Sequence, residues 1–99
     1  MAGFLPVPPN TTDADRDVLR KGASEQVYVR VTRADQVTPE MIEWVVEELD
    51  IIYPDRIDWE DAWDRLEGTY FEDGSILEWG DNDTPAMRKI QREVRKARR

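Results

Sequence analysis

The chain has 99 residues with 22 acidic and 14 basic side chains, a net charge of −8. It contains neither cysteine nor histidine, which excludes disulfides, thiolate metal sites and the commonest general base. No apolar run approaches the roughly 20 residues of a membrane span, and the N-terminus lacks the features of a signal peptide. We therefore expect one small soluble domain, cytoplasmic by default.

Charge is unevenly distributed along the sequence. Between Glu40 and Asp83 there are sixteen acidic residues and two basic ones, Arg56 and Arg65. From residue 88 to 99 the balance reverses, with seven basic residues and one acidic residue. Such an asymmetry concerns partners and solubility rather than fold.

Residues 1–11 are predicted to form an extended N-terminal arm, because Pro6, Pro8 and Pro9 favour polyproline II. Its apolar residues leave two interpretations open, a frayed terminus or an arm that packs on its own domain or on a neighbour. The domain itself is expected to span residues 12–99.

The segment after the arm predicts a short helix from Thr12 to Lys21, ended by Gly22. A strand follows over Gln26–Arg33. Its valines alternate with polar residues, the period of two that is typical of a half-buried strand.

Two acidic helices come next. Thr38-Pro39 is a helix start, and the spacing of Ile42, Val45, Val46 and Leu49 predicts one buried face. We expect the helix to end before Ile51 and Ile52. Asp58 caps the second helix, whose buried residues are predicted at positions 59, 62, 63 and 66, and Gly68 ends it.

An Asp73-Gly74 pair between two apolar runs predicts a β-hairpin with a two-residue type I′ turn. In that register Phe71 lies opposite Ile76. Tyr70 then lies opposite Leu77.

Thr84-Pro85 repeats the Thr-Pro helix start and opens a basic amphipathic helix over about 85–99. Met87, Ile90, Val94 and Ala97 fall on one side of this helix. The arginines that fall on the opposite side are Arg88, Arg92, Arg95 and Arg99.

These elements predict an α+β fold. A small antiparallel sheet, made of one strand and the β-hairpin, packs with two acidic helices and the basic C-terminal helix. The alternative is a helical bundle with an appended hairpin.

The acidic helices supply the main functional hypothesis, a non-enzymatic protein that binds or assembles with a protein partner carrying a basic surface. On each helix the carboxylates lie opposite the predicted core. A solvated face that maintains solubility is the competing interpretation. The candidate partner-binding residues are Trp44, Glu40, Glu43, Glu47, Glu48, Glu60, Asp61 and Asp64.

Trp44 is the most specific of these residues. At about 100° per residue it lies roughly 160° from Ile42, among carboxylates. Aromatic residues are enriched at the centres of interfaces. Trp44 is therefore either covered by another element or exposed as a binding anchor.

The basic helix allows three interpretations. It packs on its own domain with its cations paired internally, it binds nucleic-acid phosphates, or it lies on an anionic membrane, which its narrow apolar side disfavours. Whether the acidic and basic faces pair within one molecule or between two copies is left open. The candidate residues for phosphate binding or self-pairing are Arg88, Arg92, Arg95 and Arg99. The acidic helices also allow mimicry of a nucleic-acid backbone, and we expect no binding to a membrane.

No cofactor, metal site or catalytic activity is expected. Glu78, Asp81 and Asp83 are hard oxygen donors, but their spacing does not match an EF-hand loop. No phosphate loop, nucleophile elbow or zinc motif is present. The size and charge are typical of small accessory, adaptor or inhibitor proteins, including those of viruses, and a viral origin implies the host cytoplasm or the virion.

Overall fold

The computed structural model describes residues 5–22 and 24–98. This part of the chain contains helices α1 (Pro39–Ile52), α2 (Trp59–Leu66) and α3 (Pro85–Ala97), and strands β1 (Arg16–Lys21), β2 (Ser24–Arg30) and β3 (Ile76–Glu78). Short 3-10 turns lie at Asp13–Asp15 and Ala34–Gln36. The predicted small α+β fold is confirmed.

The three strands form one sheet in the order β1-β2-β3. β1 and β2 are antiparallel, whereas β2 and β3 are parallel, so the sheet is mixed rather than purely antiparallel as predicted. The reason is the long connection through α1 and α2, which brings the chain back to β2 in the same direction. The sheet contributes Val29 and Leu77 to the core, which rules out a helical bundle with an appended hairpin.

The helix predicted from Thr12 to Lys21 is wrong, because β1 occupies most of this segment. Val18 and Leu19 remain about half exposed, at 53% and 49%. Two such residues are too few to hold an amphipathic helix against the core. Pairing with β2 instead provides hydrogen-bond partners for the backbone N–H and C=O groups of this segment. Gly22, with φ of 59°, leads into the turn towards β2 instead of ending a helix.

The segment before β3 turns at Asp73-Gly74, but the predicted register is wrong by one residue. The N–H of Gly74 donates to the carbonyl of Phe71 at 3.0 Å, and Tyr70 pairs with Ile76. A type I′ turn requires positive φ at both of its central residues. Gly74 has φ of 88°, whereas no described residue other than glycine has positive φ, Asp73 included. The turn therefore takes one extra residue.

The helix starts follow the predicted capping chemistry. The side chains of Thr38, Asp58 and Thr84 each accept a hydrogen bond from the backbone N–H three residues further on, at 3.2, 3.3 and 3.2 Å. These bonds satisfy amides that the first helical turn leaves unpaired. α1 does not end before Ile51 as predicted, but continues to Ile52, two residues before Pro54.

The core lies between the sheet and the helices. α3 packs through Met87, Ile90 and Val94 against α1 and the 3-10 turn Ala34–Gln36. Leu5 is also buried, and its carbonyl accepts a hydrogen bond from the N–H of Glu72 at 2.9 Å. This part of the N-terminal arm thus packs on its own domain. Phe4 lies outside the described residues.

Candidate binding surfaces

The outer face of α1 carries a row of carboxylates. Glu40, Glu43 and Glu47 are exposed, and none of them forms an ion pair with a described basic residue. Their helical positions lie opposite the fully buried Met41 and Val45. We call these three residues the acidic face of α1. No described cation therefore neutralises their charge.

Trp44 lies at the margin of this acidic face. Its side chain is partly buried and packs against the core cluster, so it is neither fully covered nor fully exposed. The sequence pattern predicted a buried face of Ile42, Val45, Val46 and Leu49. Val45 and Leu49 are fully buried as predicted, whereas Ile42 and Val46 are only partly buried and Met41 is fully buried in their place. This rotates the buried face towards Trp44 and leaves only part of the indole accessible.

Ile51 is the most exposed large apolar residue in the described chain, at 80%. Seven residues after Trp44, it lies within about 20° of Trp44 around the helix and about 10 Å further along it. Sequence reasoning missed Ile51 because it placed this residue beyond the end of α1. The signal was available, since the acidic helix has no breaker before Pro54.

The remaining acidic candidates divide into free and engaged residues. Glu60 and Asp64 on α2 are exposed, whereas Glu48 on α1 is partly buried. Asp61 accepts hydrogen bonds from the Tyr53 hydroxyl and from Nε of Arg65, the latter at 2.7 Å. Asp61 thus ties the end of α1 to α2.

These contacts change the ionisation of the cluster around Asp61. The hydrogen bonds from Tyr53 and Arg65 hold the pKa of Asp61 below its usual range. Burial, and then the neighbouring carboxylate, raise the pKa of Tyr53, and Asp61 raises the pKa of Arg65. Asp61 is therefore a charged structural residue and less available to a partner than Glu60 or Asp64.

The basic stripe of α3 is exposed but partly neutralised. Arg88 lies 3.3 Å from the carboxylate of Asp83, and Arg92 lies 4.0 Å from that of Glu93. The side chains of both arginines are more than half exposed, at 56% and 59%. Arg99, the last predicted member of the stripe, lies outside the described residues.

Two other cations of α3 join it to the rest of the domain. Nζ of Lys89 donates to the carbonyl of Ala34 at 3.2 Å and to that of Val37 at 3.4 Å. Nε of Arg98, the residue that caps the C-terminus of α3, lies 3.5 Å from the carboxylate of Asp50 on α1. Part of the basic charge therefore serves the packing of this helix.

Within residues 5–22 and 24–98, no three acidic side chains converge in a way suited to hold a metal ion. Nor does any helix there combine the length and apolar character that crossing a bilayer requires. No family model, curated protein or solved structure matches the chain.

Proposed function

We propose that this protein is a non-enzymatic binding protein that engages a basic protein partner through the outer face of α1. The observation that supports this is the pair formed by Trp44 and Ile51, two apolar side chains accessible on a face bordered by Glu40 and Glu47. An apolar contact surrounded by charge is the usual anatomy of a specific interface.

The chemistry of the partner follows from this arrangement. Ile51 is 80% exposed, so its side chain contributes little to the stability of the free protein. Binding would remove this apolar side chain from water and so contribute to affinity. The acidic face would attract lysine or arginine side chains and speed association, particularly at low salt. A basic amphipathic helix fits both requirements, since its apolar stripe would cover Ile51 and Trp44.

The test is capture from an extract of the cells that produce the protein, with quantification by mass spectrometry. Ile51→Ser should lower retention of the specific partner by about tenfold or more, since burying such a side chain contributes about 1.5–3 kcal/mol. Val18→Ser is the matched control, because Val18 is an exposed aliphatic residue on β1. Its retention should equal that of the wild type.

A second pair of variants separates the apolar contact from the charge. Glu43→Lys together with Glu47→Lys should slow association and reduce its salt dependence, whereas Ile51→Ser should mainly speed dissociation. Partners that bind all variants equally would contradict the proposal. If the partner is a second copy of this chain, light scattering at low salt will show a doubled mass that falls as salt is added.

Nucleic-acid binding through α3 is the second candidate. Arg88 and Arg92 support it, because their side chains are more than half exposed on one face of the helix. Phosphate contacts would give a log–log salt slope of about −0.9 per contact with duplex DNA. Replacing both arginines by glutamine should then abolish binding, and unchanged affinity would remove this candidate.

A further inference from the structure

A groove of about 500 Å³ lies between the loop that follows α1 and the last turns of α3. Three arginines line it, Arg56 from the loop and Arg95 and Arg98 from the end of α3. Its apolar wall includes Trp59, the first residue of α2. Its size falls within the range of small-molecule sites.

The arginines of this groove differ from the others in the chain. Ten arginines fall within the described residues, and eight of them form an ion pair within 4.0 Å. The two without an ion pair to any described residue are Arg56 and Arg95, and both line the groove. In a chain with a net charge of −8, two unpaired guanidinium groups on one groove create a local site for an anion.

Arg98 holds the two walls of the groove together. Its Nη2 donates to the carbonyls of Tyr53, at 2.7 Å, and Asp55, at 3.3 Å. Its Nη1 is buried and has no hydrogen-bond partner among the described residues. These contacts anchor the loop that carries Arg56 against the helix that carries Arg95. Arg98 is therefore a positioning residue with unused hydrogen-bonding capacity.

Trp59 adds a flat surface beside the cations. Its ring is 5.3 Å from that of Trp63, whose ring in turn is 4.9 Å from Trp79. Trp63 and Trp79 are buried, whereas Trp59 is partly exposed at the outer end of this row. An aromatic side chain held in this way is a stacking platform for a planar ring, of the kind that proteins use for nucleobases.

We propose that this groove binds a nucleoside phosphate. The phosphate lies against Arg56 and Arg95, since guanidinium groups match phosphate geometry. The base stacks on Trp59. Asp55, the acidic residue of the lining, accepts a hydrogen bond from a sugar hydroxyl. The abundant carboxylates elsewhere on the chain repel a long polyanion. A mononucleotide escapes most of this repulsion because it stays within the groove, whose size is about one screening length at physiological salt.

The experiment is isothermal titration calorimetry with AMP, adenosine and inorganic phosphate as separate probes. Wild type should bind AMP more tightly than either of the other two. Arg56→Gln and Arg95→Gln should each weaken AMP binding about tenfold, the effect of one charge-assisted hydrogen bond. Arg20→Gln is the matched control, since Arg20 is an exposed arginine on β1 that does not line the groove, and it should leave AMP affinity unchanged.

Trp59→Leu separates stacking from charge, because it should weaken binding of AMP but not of inorganic phosphate. The melting temperature of each variant checks that the fold is retained. The proposal is overturned if AMP does not bind at millimolar concentration, if phosphate binds as tightly as AMP, or if Arg20→Gln weakens AMP binding as much as Arg95→Gln does. Tighter binding of a single-stranded oligonucleotide than of AMP, lost in Arg92→Gln, would assign the arginines to a nucleic-acid surface instead. None of these results bears on the α1 surface.

Discussion

Replacing the buried Gln36 should destabilise the fold far more than its size suggests. Its side chain is fully buried, and its amide makes three hydrogen bonds to the backbone at the end of β2. Its Oε1 accepts from the N–H groups of Thr32, at 2.9 Å, and Arg33, at 3.0 Å, while its Nε2 donates to the carbonyl of Arg30 at 3.0 Å. This one side chain thus joins the strand to the 3-10 turn that precedes α1.

The size of the stability loss follows from the three backbone groups that Gln36→Leu would leave without a hydrogen-bond partner. An unsatisfied buried polar group costs about 1–3 kcal/mol. Because Thr32 and Arg33 are partly exposed, water can reach some of these groups, and the low end of the range applies. We expect a loss of about 3 kcal/mol of unfolding free energy, which lowers the melting temperature by roughly 12–24 °C in a domain of this size.

The assay is urea unfolding followed by tryptophan fluorescence. Gln36→Met tests whether shape matters, and it should lose about as much stability as the leucine variant because neither side chain carries an amide. Gln91→Leu on α3 is the control, since Gln91 is partly exposed and the change there should stay within about 0.5 kcal/mol. A loss below about 1 kcal/mol for both Gln36 variants would show that these hydrogen bonds contribute little to stability.

Two further predictions concern glycine and pH. Gly74→Ala should lower the free energy of unfolding by about 1–2 kcal/mol through backbone strain alone, because φ of Gly74 is 88° and a Cβ there contacts nothing within 4 Å. Gly80→Ala should cost more, because φ is 76° and its Cβ would lie 3.0 Å from Arg30; equal melting temperatures for the two would contradict this. The hydrogen bond from Arg33 holds the pKa of Asp15 below its ordinary value of 3.8. The ionised carboxylate of Asp15 therefore stabilises the fold fully above pH 3.8, and this stabilisation is lost as the pH falls towards the lower pKa of Asp15 in the folded protein. Asp15→Asn should therefore be less stable than wild type at pH 7 and closer to it at pH 3 in urea unfolding, whereas a constant gap would show that ionisation is not the cause.

The helices could be predicted from the sequence because their signals are local. Thr38, Asp58 and Thr84 each cap a helix through a contact only three residues away. The acidic and basic faces follow from the same periodicity. The sequence did not predict the exact limits of the buried face of α1, and therefore did not predict that Trp44 is partly buried. Both depend on which side of α1 packs against the core.

The strands and the groove depended on distant segments. Val18 and Leu19 suit a weak helix stripe as well as an exposed strand, and the pairing with β2 decides between them. The groove combines the loop after α1, the start of α2 and the end of α3, so no local pattern brings Arg56 and Arg95 together. The one available signal was the isolation of Arg56 within the acidic segment.

Site-specific photo-cross-linking can show whether the outer face of α1 binds a protein partner. A photoreactive phenylalanine analogue is placed at Ile51 or, as the control on the opposite charged surface, at Arg88, and the cells are irradiated. If this face binds a protein, position 51 forms an adduct with one protein, and this adduct is absent at position 88 and lost when Glu43 and Glu47 are replaced by lysine. An adduct at position 88 with none at position 51 would contradict it.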